Sequence, residues 1–220
     1  MRRSVFAGIA VGLGLLALAD ALAARAGWTA SLVPRSDGPW PWLASRAAGV
    51  TAFVAIALDV TFGLFVSTGA ADRWISRARS VDIHRWLSSV ALTLVATHAL
   101  LLLGDDFVRF DLLDAMVPFL APYRPAAVAL GLFAASLAAV IHMSFAMRHR
   151  IGVGVWKRLH RVTFGIFVLA IAHGLLAGTD ASAPWLRGLY LVAAATVSAL
   201  LLQRGLVSRR GSPAARSRIP

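Results

Sequence analysis

The sequence predicts an all-α integral membrane protein, a bundle of six helices with both chain termini in the cytoplasm. Of its 220 residues, 59% are hydrophobic and only 15% are charged. Apolar runs of about 20 residues recur, which is the length that crosses a hydrocarbon layer of about 30 Å. The period-two alternation of half-buried strands is absent, and in lipid an unbroken apolar run satisfies its backbone groups as a helix. Finally, the connections between these runs alternate in charge.

Six segments are predicted to span the membrane, and they cover residues 4–24, 42–67, 83–104, 125–147, 159–177 and 185–205. The chain then divides into three parts. Residues 1–40 hold the first span and an outer loop, residues 41–207 form the rest of the bundle, and residues 208–220 are a basic tail expected to be disordered. The longest outer loop, residues 105–124, is rich in apolar residues and predicts a short helix at the membrane interface.

The first span has two interpretations. Its sequence, MRRSVFAGIAVGLGLLALADALA, has a basic start, an apolar middle and an Ala21-Leu22-Ala23 that fits a cleavage site. We expect a retained helix, and the alternative is a signal peptide removed within residues 1–23. The orientation of the other five spans is the same in both cases.

The distribution of basic residues predicts which side of the bundle faces the cytoplasm. Sixteen of the 22 basic residues fall on one side, and the positive-inside rule assigns that side to the cytoplasm. These sixteen are Arg2, Arg3, Arg73, Arg77, Arg79, Arg85, Arg148, Arg150, Lys157, Arg158, Arg161, Arg204, Arg209, Arg210, Arg216 and Arg218. The net charge of +12 therefore reflects membrane orientation, and no nucleic-acid partner is expected.

Four histidines recur at similar spacings within two predicted spans. His84 and His98 are fourteen positions apart in span three, and His160 and His173 are thirteen apart in span five. Ionisable groups at membrane depth are usually functional, although a single neutral histidine also hydrogen-bonds between helices. Both spans run from the cytoplasm outward. His84 is therefore expected to face His160 near the inner side, with His98 facing His173 about 20 Å further out.

Two such pairs in an apolar bundle favour haem as the ligand. Imidazoles on opposite sides of a porphyrin can serve as axial ligands to its iron. Zinc needs three or four ligands at one point, and no cysteine exists and no carboxylate is placed to complete such a site. At about 100° per residue, thirteen positions leave a helix about 140° from its starting face. Span five is therefore distorted, with Gly165 and Gly174 as candidate places, or two haems approach it from different sides.

The paired spacings, on the third and fifth of six helices, resemble the ferric reductase-like transmembrane domain family over about residues 40–205. That family includes ferric reductases, NADPH oxidases and the haem-binding membrane subunits of bacterial methionine sulfoxide reductases, and WKRLHR at 156–161 resembles the bacterial branch. The resemblance implies two b-type haems with axial ligand pairs His84–His160 and His98–His173. Some bacterial relatives lack one of the four histidines, and this sequence keeps all of them.

Several other polar residues are candidates for supporting roles. Arg85 and Arg161 each follow an inner histidine and Arg46 lies near the outer end of span two, so all three are candidate partners of haem propionates. The alternatives are ordinary positive-inside charges for the first two and snorkelling to headgroups for Arg46. Asp59, in the middle of span two, is protonated, paired with an arginine or involved in proton movement. His142 is a packed neutral imidazole, a quinone contact or a substitute ligand.

These expectations describe a b-type cytochrome subunit of a bacterial inner membrane that passes electrons across the lipid. The outer acceptor would be ferric iron, oxygen or a periplasmic reductase partner. No Gly-rich nucleotide fingerprint occurs, so the expected donor is a cytoplasmic flavoprotein or quinol, and the chain would be the electron-transfer component of an oxidoreductase. The alternatives are a haem-free transporter or proton pathway that uses the histidines, and a structural membrane anchor.

Overall fold

The structure is a computed structural model that describes residues 38–106 and 108–210. Within these residues the chain forms helices and turns, without a β-strand. The helices are α1 (Trp40–Thr68), α2 (Arg77–Leu103), α3 (Pro125–Ile151), α4 (Val153–His160), α5 (Thr163–Ala177) and α6 (Pro184–Arg210).

Five helical segments of the described chain are long and apolar enough to cross a membrane. They are α1, α2, α3, the α4–α5 unit over Val153–Ala177, and α6 over Pro184–Leu206. Each contains one of the last five predicted spans almost entirely, which confirms the all-helical, multi-pass reading of the sequence. The first predicted span, residues 4–24, and the tail from residue 211 lie outside the described residues.

The outer surface of this bundle suits a lipid environment. On α6, Leu191, Val192 and Leu202 are exposed by 70%, 66% and 71%. Such large apolar side chains would be costly to leave in water, whereas hydrocarbon solvates them. These helices therefore indicate a multi-pass membrane protein that contacts lipid.

Local sequence signals explain where the helices begin and end. Gly69 ends α1 in the left-handed conformation, at φ 70°, and its N–H bonds to the Phe65 carbonyl. The Ser76 hydroxyl accepts from the Arg79 N–H and so caps the start of α2. Gly152, at φ 84°, interrupts the helix between α3 and α4.

Helix α1 is the centre of the bundle. It packs most extensively against α2 and also contacts α5 and α6, while α3 packs against α5. The core between α1, α5 and α6 is aromatic: the Phe53 ring lies 6.0 Å from Phe167 and 4.6 Å from Tyr190. The four histidines of the predicted pairs lie on α2, α4 and α5, and α2 is not extensively packed against either of the other two described helices. Their side chains therefore meet across a gap.

The loop between α2 and α3 differs from the predicted interfacial helix. Apart from Phe107, which the structure does not describe, residues 104–124 form turns, bends and irregular segments, without a helix. Asp111 and Asp114 each accept the other's backbone N–H, a local bond that competes with a continuous helix. At the end of the loop, Tyr123 and Arg124 donate to carbonyls in the last turn of α5.

Candidate functional site

The four predicted histidines meet in two pairs. The ring centroids of His84 and His160 are 5.9 Å apart, and those of His98 and His173 are 6.2 Å apart. We call the first pair the Asp59 site and the second the Ser45 site, after the α1 residue that contacts each. Both pairings are those that the sequence predicted.

The separations match what one iron between two imidazoles requires. A metal–imidazole bond of about 2.0–2.1 Å, plus about 1.1 Å from the nitrogen to its ring centroid, puts two opposed rings about 6.3 Å apart. Two rings that pack edge to face, with no metal between them, can have the same centroid separations. The hydrogen bonds of the ring nitrogens therefore provide the more discriminating evidence.

Three of the four rings are anchored through Nδ1 to a backbone carbonyl of a neighbouring helix. Nδ1 of His84 lies 3.0 Å from the Asp59 carbonyl oxygen, and Nδ1 of His98 lies 2.7 Å from that of Ser45. Nδ1 of His173 lies 2.8 Å from the Ala127 carbonyl oxygen. With its proton on Nδ1, each ring keeps Nε2 as a free lone pair. Metal-ligating histidines commonly have this second-sphere arrangement.

A glycine follows each accepting carbonyl by four residues, and it lets the ring lie against the helix. A Cβ placed on Gly49, Gly63 or Gly131 would lie 3.0, 3.2 or 2.7 Å from the nearest atom of His98, His84 or His173 respectively. In a helix the N–H of residue i+4 bonds to the carbonyl of residue i, so imidazole and glycine share one acceptor with two lone pairs.

The spacing on α1 repeats the spacing on α2. On α1, Ser45 and Asp59 are fourteen positions apart, and so are Gly49 and Gly63. On α2, which runs antiparallel to α1, the facing histidines His98 and His84 are also fourteen positions apart. At each of the two depths, α1 therefore offers a carbonyl acceptor and a glycine that accommodate one imidazole of α2. The sequence contains a signal for these positions that the histidine spacing alone does not give, namely the fourteen-residue repeat of Gly49 and Gly63 in an apolar helix.

His160 is held differently, at the last residue of α4. Its ring stacks on Trp156, with centroids 5.0 Å apart and planes 23° from parallel. Beyond it the helix tightens at Arg161 and Val162, whose N–H groups bond to the carbonyls three residues back, Arg158 and Leu159. These i→i−3 bonds wind about 120° per residue. The predicted distortion between His160 and His173 is therefore present, ahead of both Gly165 and Gly174.

A cavity of about 230 Å³ adjoins the Ser45 site, and its walls are mostly apolar. Its lining also includes the polar residues Arg46, Thr179 and Asp180. Arg46 donates to the carboxylate of Asp180, and about a third of each side chain is exposed. The cavity thus has a pair of imidazoles and a few charged groups in a mostly apolar lining, which suits an apolar ligand with charged substituents.

The side chain of Asp59 contacts His84 directly. Its Oδ1 lies 2.8 Å from Nδ1 of His84, whose N–H points to the Asp59 carbonyl, and its Oδ2 accepts from the Ser88 hydroxyl at 2.9 Å. Oδ1 has no well-aligned donor among the described residues. The structure pairs the Asp59 side chain with a histidine and a serine, and not with the arginine that was one of its expected partners.

The remaining candidates lie nearer the surface. Arg85 and Arg161 are exposed, and the Arg85 guanidinium lies 5.7 Å from the Phe145 ring centroid. His142 and His149 are exposed on α3 and belong to neither pair. No group of three or more histidine, cysteine or acidic side chains suited to a metal ion occurs in the described parts of the chain. The donor set consists of two imidazoles per site.

Comparisons with protein-family models, with curated proteins and with solved structures find no match to this chain.

Proposed function

We propose that this protein is a membrane-bound b-type cytochrome that transfers electrons across the lipid through two bis-histidine haem sites. The observation that supports it is the arrangement of the imidazoles. Two pairs at 5.9 and 6.2 Å lie at two depths, and three of the four rings are tied through Nδ1 to backbone carbonyls. A haem takes one imidazole on each face, so it would use both members of a pair.

The residues of the chain hold and isolate such a ligand. Haem, when bound, would supply one-electron redox chemistry at the two sites. His84 with His160, and His98 with His173, would hold the iron of this group through their ring nitrogens. The apolar cavity walls would reduce the contact of such a ligand with water at the Ser45 site, and Arg46, which also lines the cavity, is the candidate partner of a propionate. Arg85 and Arg161 are the corresponding candidates at the Asp59 site.

The distribution of charge supports an orientation for this transfer. In the proposed topology six helices place both termini in the cytoplasm of a bacterium, with the Asp59 site toward the cytoplasm and the Ser45 site toward the outside. The donor would be a cytoplasmic flavoprotein or quinol. The acceptor would be ferric iron, oxygen or a partner reductase outside.

The decisive experiment is a reduced-minus-oxidised optical spectrum of the purified full chain from haem-replete cells. We expect a reducible Soret band, resolved α and β bands, and two haems per chain by pyridine haemochrome assay. His98→Ala should remove one haem and leave the other, because the sites have separate ligands. His142→Ala is the matched control, since His142 is exposed and unpaired, and it should keep both haems. A colourless wild-type preparation would refute the proposal.

The contact between His84, Asp59 and Ser88 also favours a second candidate, a proton pathway without haem. A carboxylate, an imidazole and a hydroxyl within hydrogen-bonding distance are the usual components of a proton relay in a membrane. This candidate predicts a colourless protein that, reconstituted in vesicles, moves protons and loses that activity in Asp59→Asn. The optical spectrum separates the two candidates.

A further inference from the structure

On the side formed by α1 and α2, the two sites differ in one side chain at otherwise equivalent positions. In each, one α1 residue offers its carbonyl and its side-chain oxygen to Nδ1 of an α2 histidine, and a glycine follows four residues later. At the Ser45 site that side chain is a hydroxyl, 2.9 Å from Nδ1 of His98. At the Asp59 site it is a carboxylate, 2.8 Å from Nδ1 of His84.

This difference changes how strongly each histidine donates to a metal. The negative charge of a carboxylate 2.8 Å from Nδ1 stabilises positive charge on the ring and makes the opposite nitrogen a more basic ligand, whereas a neutral hydroxyl does so much less. The Ser45 hydroxyl also donates to the His98 backbone carbonyl, so its own proton is directed away from the ring. The Ser88 hydroxyl fixes the position of the Asp59 carboxylate by donating to Oδ2.

A more basic axial ligand, together with a nearby negative charge, stabilises the more positive oxidation state of the iron. We propose that Asp59 is a positioning residue that strengthens His84 as a ligand and so lowers the reduction potential of the Asp59 site. This inference rests on the proposed cytochrome function and deepens it. A single electron shared by the two sites would thereby be shifted toward the Ser45 site, the one we assign to the outside.

Cations around the Asp59 site would raise its reduction potential, so the test must leave them unchanged. Arg85 and Arg161 are exposed, so solvent screens them, and Arg204 of α6 is near enough to act on His160 electrostatically. Changing Asp59 alone leaves all three in place. The comparison of a variant with the wild type therefore isolates the effect of the carboxylate.

The test is a potentiometric titration of the haem absorption bands in the purified full chain, for the wild type and Asp59→Asn. The amide has the size of the carboxylate and lacks its charge. We expect one of the two midpoint potentials to rise, with a shift of roughly tenfold in that haem's oxidation equilibrium, which is about 59 mV for one electron. The other midpoint should stay unchanged. The low-spin ferric electron paramagnetic resonance signal of the shifted haem should move as well.

Two further variants complete the design. Asp59→Ser reproduces the arrangement of the Ser45 site and should raise the same midpoint, and it decides the question if Asp59→Asn lowers haem content. Asp72→Asn removes an equal charge from the exposed end of the α1–α2 connection, where Asp72 lies 3.4 Å from Arg77, and should leave both midpoints unchanged.

The outcomes distinguish this inference from the function on which it rests. A wild-type chain without haem refutes the cytochrome itself. Bound haem with unchanged midpoints in both Asp59 variants overturns only the role of Asp59. An equal shift in Asp72→Asn does the same, because it would show a general charge effect. Loss of that haem from both Asp59 variants would make Asp59 a structural residue, which also overturns the proposal.

Discussion

At the scale of single residues, glycine decides whether an imidazole can reach a helix backbone. The Nδ1 atoms of His84, His98 and His173 bond to carbonyls inside neighbouring helices, where a side chain four residues on would normally cover the acceptor. Gly63, Gly49 and Gly131 leave that place open, so three histidines are held in one tautomer and one orientation.

Alanine at Gly131 tests this arrangement. Its Cβ would lie 2.7 Å from Nδ1, 2.8 Å from Cε1 and 3.0 Å from Cγ of His173, so the ring would have to leave the Ala127 carbonyl. We expect a loss of roughly 1–3 kcal/mol of stability, as for overpacking in general, and loss of haem from the Ser45 site only. Thermal unfolding in detergent and haem content measure the two effects.

The same substitution elsewhere provides a graded series and a control. Gly49→Ala should act more weakly than Gly131→Ala and Gly63→Ala most weakly, because their Cβ atoms would approach the rings to 3.0 and 3.2 Å. Gly165→Ala, with no neighbour within 4 Å, should behave as the wild type. A series in which Gly165→Ala is as damaging as Gly131→Ala would contradict the packing argument.

At the scale of helices, the sequence predicted what periodicity and apolar length determine. The five described spans and the partners of His84 and His98 follow from run lengths and from the spacing of four histidines. The sequence predicted a distortion between His160 and His173 but not its position at Arg161 and Val162, because neither residue is a helix breaker and the i→i−3 bonds there are made by the backbone alone. The loop at residues 105–124 was wrongly predicted as helical, because its carboxylates bond locally.

Contact between α5 and α6 depends on another glycine, at the position after His173. The Tyr190 hydroxyl of α6 approaches Gly174 closely enough that a Cβ there would overlap with it. Gly174→Ala should push α6 away, disturb the contact of Tyr190 with Phe53, and lower stability by roughly 1–3 kcal/mol.

Gly188→Ala, on α6, is the matched control, because a Cβ there meets nothing within 4 Å. Thermal unfolding of both variants in the same detergent measures the difference. Equal unfolding temperatures for Gly174→Ala and the wild type would show that α6 is not held by this contact.

At the scale of the whole molecule, the bundle is polarised by charge. Among described residues, one end has basic side chains in the α1–α2 connection, the start of α2 and the α3–α4 region, while the other has most of the carboxylates, in the loops after α2 and α5. The positive-inside rule then assigns the first end to the cytoplasm. The proposed electron transfer needs this orientation, because it decides which site faces the donor.

The absence of cysteine from the sequence makes this orientation directly measurable, since every introduced thiol is unique. Arg150→Cys lies at the basic end and Ser182→Cys in the α5–α6 connection, and both positions are exposed. A membrane-impermeant maleimide should label Ser182→Cys in intact cells and Arg150→Cys only after permeabilisation, because helices α4–α5 separate the two positions by one crossing. Met116→Cys, exposed in the α2–α3 loop, should follow Ser182→Cys. The reverse labelling pattern would show that the orientation is inverted, with the Asp59 site on the outside. Labelling of all three variants in intact cells would contradict a membrane-spanning arrangement.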